Sequence, residues 1–305
     1  MSPKNFILTD AERELLPTKK EVDLYREHGW YLTRKVLSDE EIDTLTEASE
    51  RYYKGHRDRT LPTRPPHIAY WEASHGDISR NNDYIFYEDR TMERILSKPI
   101  IGAIAARLSG TDQIRLFNTT LMYKPPNVEE KKTVVPWHFD RHYWQTCTSD
   151  NMLTAFIPLH DCDEEMGTIE MIDGSHSWKE AATPGNDSPS LHFARRDRSE
   201  LESLLEKNAE LNGKVVRKIP MIIKKGHMSF HHCLTYHGSG SNRSHRPRRA
   251  ISFHLQDRDN KYRPHTLSNS ELLVYNNDVL CRKTSEGYPD YSDPTFCPVL
   301  WEESL

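Results

Sequence analysis

At Ile114 the period of the chain changes. Before that point apolar residues recur at helical spacing. After it, short runs alternate apolar with polar side chains and are separated by Gly, Pro, Asn and Ser. The runs fall at 114–124, 134–140, 152–159, 167–172, 219–224, 227–236 and 248–255. Side chains of a strand point alternately to its two faces, so each run buries one face and must find a second layer. Many short half-buried strands in series are satisfied by two sheets packed face to face or by a closed barrel. The expected fold is therefore mainly β with flanking helices, built on a double-stranded β-helix core (jelly roll, cupin-like).

The first third reads differently. Residues 1–19 are polar and read as irregular. Lys20 to His28 has helical spacing and is stopped by Gly29; Trp30 to Thr33 suits a strand. Ser38 with Glu41 three residues later has the form of a capping box and opens a helix to about Tyr53. Residues 54–84, rich in Arg, Pro, His and Asn, read as a long loop. Thr91 to Ser109 is helical up to Gly110, broken near Lys98 by Pro99. Residues 177–212 form an insert with a turn at Pro184–Pro189 and a charged helix near Ser199 to Asn208, a length that suits a lid. In the tail, Tyr288, Tyr291, Phe296 and Trp301 are expected to dock on the core. One domain over 1–305 is expected, with a helical part to about 110, the jelly-roll core over 111–258 and a tail over 259–305.

Composition narrows the functional classes. A net charge of −5 argues against a general nucleic-acid binder. Five cysteines, without a Cys-x-x-Cys pair, suit a reducing compartment better than a disulfide scaffold. No run approaches the ~18 apolar residues of a membrane span, so a cytoplasmic protein with no membrane partner is expected. The final Glu303-Ser304-Leu305 echoes a peroxisomal address only faintly and reads as chance. Phosphate-binding glycine loops, the Gly-x-Ser-x-Gly elbow and zinc-finger spacings are missing.

The chemistry lies in three places. In Pro136-Trp137-His138-Phe139-Asp140 the imidazole and carboxylate are two positions apart and share a face of an extended strand. Such a pair supplies two ligands of a 2-His-1-carboxylate triad, which leaves Fe(II) positions open. A second pair, His75-Gly76-Asp77, lacks strand alternation around it and reads as surface. Downstream, Phe230 to His237 runs into Gly238-Ser239-Gly240-Ser241-Asn242, a strand entering a turn. His231 and His232 are set aside there, because His232 and His237, five apart, take opposite faces of a straight strand. In Arg248 to Leu255, Arg248, Ala250, Ser252 and His254 share one face; Arg249, Ile251, Phe253 and Leu255 share the other. The first face has room beside its arginine for a carboxylate held by two parallel hydrogen bonds.

These pieces, with Thr120-Leu121-Met122-Tyr123-Lys124-Pro125-Pro126 and Gly167 to His176, resemble the phytanoyl-CoA dioxygenase family of Fe(II)/2-oxoglutarate oxygenases from about Tyr25 to about Asp257. The resemblance implies His138, Asp140 and His237 as iron ligands. It implies Arg248 as the partner of the distal carboxylate of 2-oxoglutarate, assisted by Ser239. Thr120 and Phe156 would line the cosubstrate pocket, Phe156 standing where some members have Trp. It also implies O2 as oxidant, ascorbate as a supporting reductant, and succinate and CO2 as products. Relatives with Ala or Gly in place of Asp140 can seat a halide on the metal, so Asp140 favours hydroxylation, desaturation or ring closure. Trp137, Arg141, His142, Tyr143 and Trp144 would surround the ligands, which suits a small polar metabolite or natural-product intermediate as substrate. Two alternatives are a nucleic-acid dealkylase of the same chemistry, permitted by the arginines of 243–249 and opposed by the acidic balance, and a non-catalytic metal-binding jelly roll. Oligomeric state is not written in the sequence.

Overall fold

The computed structural model describes residues 6–126, 133–179, 198–267 and 269–303. In chain order its elements are α1 (Asp10–Arg13), α2 (Lys19–His28), β1 (Trp30–Leu32), α3 (Asp39–Tyr53), β2 (Arg80–Asp83), α4 (Ile85–Glu88), α5 (Arg90–Leu96), α6 (Pro99–Ser109) and β3 (Gln113–Lys124). There follow β4 (Val135–His138), β5 (Leu153–Pro158), β6 (Ile169–Ile172), α7 (Arg198–Leu211), β7 (Lys218–Pro220), β8 (Ser229–His232), β9 (His237–Ser239), β10 (Arg248–Asp257), α8 (Asn276–Leu280) and β11 (Val299–Glu302). Two antiparallel sheets form: β1-β8-β5-β10-β3-β11, with β2 also on β3, and a smaller β4-β9-β6-β7. This is the expected jelly roll.

Local signals fix the helical part. Ser38 accepts from the Glu41 N–H while the Glu41 carboxylate accepts from the Ser38 N–H, so α3 starts at Asp39. Such a cap contributes about 1 kcal/mol. α2 stops at Gly29, which takes a left-handed φ of 79°. A Cβ there would lie 2.4 Å from His176 Nδ1 and 2.6 Å from Thr235 Oγ1, so two requirements select glycine. Pro99 opens α6 at its first turn, where its missing N–H is harmless, and thereby divides α5 from α6.

The helices cover the outer face of the larger sheet. Ile42 and Leu45 of α3 and Ile100 and Ile104 of α6 pack with Ile251, Phe253, Leu255, Leu121, Leu153, Ala155 and Ile157 in one core. Burying side chains of this size stabilises by ~1.5–3 kcal/mol each. Because β10 buries Ile251 and Phe253 outward, Arg248, Ala250, Ser252 and His254 face the smaller sheet. Pairing carries that inner face across β3 to Lys124, Met122, Thr120 and Asn118. Phe156, Ala250, Ile169, Met171, Met221 and Ile223 close one end of the space between the sheets. Phe117, Trp144, Tyr291 and Phe296 close the other, so part of the tail docks as expected; Tyr288 stays 47% exposed.

Four local expectations are corrected. The polar stretch 54–84 contains β2, whose Arg-Asn-Asn-Asp run becomes a strand only because β3 offers it an edge. Residues 10–13 form a one-turn helix capped by Thr9 and Glu12. The run 134–140 ends as a strand at His138, and Asp140 opens a 3-10 turn. The run 227–236 is not straight: it leaves the larger sheet after His232, turns, and enters the smaller sheet at His237. Of the insert, α7 buries Leu205 against Trp137, Phe139, Ile172 and Tyr236; the Pro184–Pro189 turn lies outside the described residues.

Candidate active site

β4 and β9 are neighbours in the smaller sheet, and His138 pairs with His237 across them, after a register shift between Val135 and His138. Phe139 keeps an extended backbone (φ −129°, ψ 146°), so Asp140 still emerges on the His138 side although the strand has ended. The result is a buried cluster: one ligand atom from each of His138, Asp140 and His237 lies within 4.8 Å of the others. Their residues are 8%, 5% and 6% exposed.

Hydrogen bonds orient each of the three. His138 Nδ1–H donates to the Pro136 carbonyl at 2.8 Å, and His237 Nδ1–H donates to the Thr235 carbonyl at 3.0 Å. Both rings therefore turn the lone pair of Nε2 inward, the tautomer a metal ligand needs. Asp140 Oδ1 lies 3.6 Å from His237 Nε2. Its Oδ2 accepts from Thr154 at 2.6 Å and from His231 Nε2–H at 3.2 Å. Burial depresses the pKa of His138 and pushes that of His237 well down. Burial would raise the Asp140 carboxyl, but His237, the His231 hydrogen bond and His254 outweigh it and hold it well below the usual range. Two neutral imidazoles and one carboxylate are a donor set suited to Fe(II).

On the inner face of β10 and β3 stands a pair of buried cations, Arg248 and Lys124. Arg248 is 2% exposed, and its Nη1 donates to the Gly167 carbonyl at 2.8 Å. Its Nε finds no hydrogen-bond partner, and no carboxylate forms an ion pair with it among the described residues. Lys124, also 2% exposed, pairs with Arg248 across the strands and donates to Ser239 Oγ at 2.7 Å and the Gly240 carbonyl at 2.6 Å. Gly167 sits at φ +65°, where a Cβ would come 2.4 Å from the Gly240 carbonyl oxygen, so glycine lets the two turns close around the clamp. A buried guanidinium calls for an anion, and a carboxylate from a ligand satisfies it.

Of the pocket-lining expectations, Thr120 lies on the inner face and donates to Asp83 Oδ1 at 2.6 Å. Phe156 is 1% exposed, with the Arg248 guanidinium 5.6 Å from its ring centroid, so it packs in the core and also floors the clamp. Arg249 faces the helices, its Nη2 3.4 Å from Glu50. His75 is exposed; Asp77 pairs with Arg80 at 3.0 Å, far in role from the cluster. Tyr143 meets the His138 ring edge-on at 5.8 Å. Arg141 departs from expectation: it is held by Asp150 at 2.6 Å and by the carbonyls of Trp144 and Cys147, and braces the loop that follows Asp140. Reading the sequence missed Lys124, Thr154, His231 and the role of His254. Lys124 ends β3 after the apolar Leu121 and Met122, and its alternation with Met122 and Thr120 places it on the inner face.

A pH dependence follows from His232, away from the cluster. Its Nδ1 accepts from the Leu234 N–H, and burial lowers its pKa from 6.5 to about 4. The unfolded state binds the extra proton first, so stability present above pH 6.5 is lost as pH falls toward 4. The expected loss is on the order of 1–3 kcal/mol. Urea unfolding of metal-free protein at about pH 7 and about pH 4.5 measures it, and His232→Gln should lose less than wild type.

A jelly roll that turns two histidines, one aspartate and a buried cationic clamp into the same space is the scaffold of a 2-oxoglutarate-dependent non-haem iron oxygenase. Residues 25–250 match the phytanoyl-CoA dioxygenase (PhyH) family, and the chain belongs to that family. It is 26% identical to peroxisomal phytanoyl-CoA dioxygenase of Bos taurus over 247 residues, 78% of this chain and 68% of that protein. It is 30% identical to a probable alpha-ketoglutarate-dependent hypophosphite dioxygenase of Stutzerimonas stutzeri over 227 residues, 72% of each. Among solved structures, the epimerase SnoN in complex with Fe3+, alpha ketoglutarate and nogalamycin RO aligns with a TM-score of 0.64 at 23% identity, over 92% of this chain and 98% of that one. EctD from S. alaskensis with 2-oxoglutarate and 5-hydroxyectoine aligns with a TM-score of 0.59 at 18% identity, over 85% and 81%. Among the described residues no helix is long and apolar enough to cross a membrane.

Proposed function

We propose that the protein hydroxylates a C–H bond of a small polar metabolite or natural-product intermediate, with 2-oxoglutarate giving succinate and CO2. The observation that carries this is the His138, Asp140 and His237 cluster sharing one interior with Arg248. His138 and His237 would hold the iron through Nε2 and Asp140 through Oδ1. Iron bound there would activate O2 at the expense of the 2-oxo acid. Arg248 takes the far carboxylate, and the Ser239 hydroxyl, fixed by Lys124, donates beside it. Burial of all these groups excludes bulk water and strengthens each charged contact. The wall of Tyr143, Asn118 and Thr120 suits a polar substrate. The whole chain is read as one catalytic unit, and the five buried thiols support a cytoplasmic site of action.

The arginine stretch gives the dealkylase reading little support. Only Arg243 and Arg246 are exposed, while Arg248 and Arg249 point into the fold or pair with Glu50. A metabolite screen that reads succinate from Fe(II), 2-oxoglutarate, O2 and ascorbate tests the proposal; protein that binds neither iron nor 2-oxoglutarate would overturn it. Because Asp140 fills the position a halide would take, product made in excess chloride should carry hydroxyl and no chlorine. A chlorinated product in the mass spectrum would refute that role.

A further inference from the structure

His231 has no ligand position and no evident packing need for a polar ring. It is 1% exposed on β8, its ring centroid 4.2 Å from that of His237 and its Nε2 3.2 Å from Asp140 Oδ2. An ionised carboxylate only accepts, so Nε2 carries the proton. That leaves Nδ1 as an acceptor, buried and without a hydrogen-bond partner. A leucine would fill the same space and strand no nitrogen. The imidazole is thus unfavourable for the fold, and its hydrogen bond goes to Asp140.

Thr154 converges on the same oxygen. Its one hydroxyl proton goes to Asp140 Oδ2 at 2.6 Å, so it accepts from His254 Nδ1–H at 2.8 Å. Oδ2 therefore meets two donors, while Oδ1 faces His237 Nε2. We infer that His231 is a positioning residue which, with Thr154, engages Oδ2 so that Asp140 offers the metal Oδ1 alone. A carboxylate with both oxygens free can chelate and fill two positions; engaged at one oxygen it fills one, and a position stays open for cosubstrate or oxygen. The inference rests on Asp140 being a metal ligand.

The test uses metal-free full-length protein titrated with Mn(II) and Co(II). His231→Leu is expected to weaken metal binding by about 10- to 100-fold, to change the visible Co(II) spectrum, and to melt, metal-free, at or above the wild-type temperature. His231→Gln, whose amide N–H reaches to the same place, should bind within a few-fold of wild type and restore the spectrum. Thr154→Val should shift binding in the same direction as His231→Leu, and decides the matter if the leucine variant does not fold. Wild-type affinity and spectrum in His231→Leu would overturn the inference, as would a glutamine variant no better than leucine. A lower metal-free melting temperature with unchanged metal binding would make His231 purely structural. If wild type itself takes up no metal, the ligand assignment fails instead.

Discussion

Replacing His138 by alanine should abolish iron uptake and turnover while leaving the fold in place. The ring ends β4 and donates to a nearby carbonyl, so its loss costs the fold ~1 kcal/mol, whereas on the proposed assignment the metal would lose one of three protein ligands. Metal content after reconstitution and a thermal melt read the two effects separately. His75→Ala is the control, because its ring is exposed and bonds within its own turn. Iron retained by His138→Ala and lost by His75→Ala would mean that the wrong pair has been chosen.

The second large effect separates two adjacent arginines. Arg248 is buried beside Lys124 and Ser239; Arg249 lies on the opposite face against Glu50. Loss of a charged contact in a desolvated site is worth ~3 kcal/mol. Arg248→Ala should therefore raise the apparent 2-oxoglutarate constant at least ~100-fold. Arg248→Lys should recover only part, since an ammonium is a point donor and not a planar fork. Arg249→Ala should stay within a few-fold. Calorimetric titration of 2-oxoglutarate into Mn(II)-loaded variants measures all three, and a larger defect in Arg249→Ala would contradict the assignment.

What could be read from the sequence was local or periodic. The start of α3 was legible because its cap is made by residues three apart, and the faces of β10 because alternation survives along the strand. β2 was illegible: nothing in Arg-Asn-Asn-Asp favours a strand until β3 supplies hydrogen bonds. The turn between His232 and His237 was equally hidden, since both flanks read as strand. The straight-strand argument weighed His232 against His237 and passed over His231; the sheet-to-sheet crossing brings His231 to Asp140. Lys124 escaped because lysines are seldom fully buried, and its acceptors, the Ser239 hydroxyl and the Gly240 carbonyl, lie more than a hundred residues downstream. Arg141 erred the other way: proximity in sequence suggested the pocket, but Asp150 and two carbonyls claim its guanidinium.

β9 also sets a length. His237 and Ser239 are two residues apart on one strand, a rise of ~6.8 Å. One end is locked through the Thr235 carbonyl, the other through Lys124, which stands opposite Arg248. On the proposed assignment, the interval between the metal end of a 2-oxo acid and the landing place of its far carboxylate is therefore written in a single strand step. On that assignment an acid one methylene shorter would fall short of Arg248, and one longer would not lie straight between the two ends. Cosubstrate choice would then be set by a yardstick of backbone, by reach before charge.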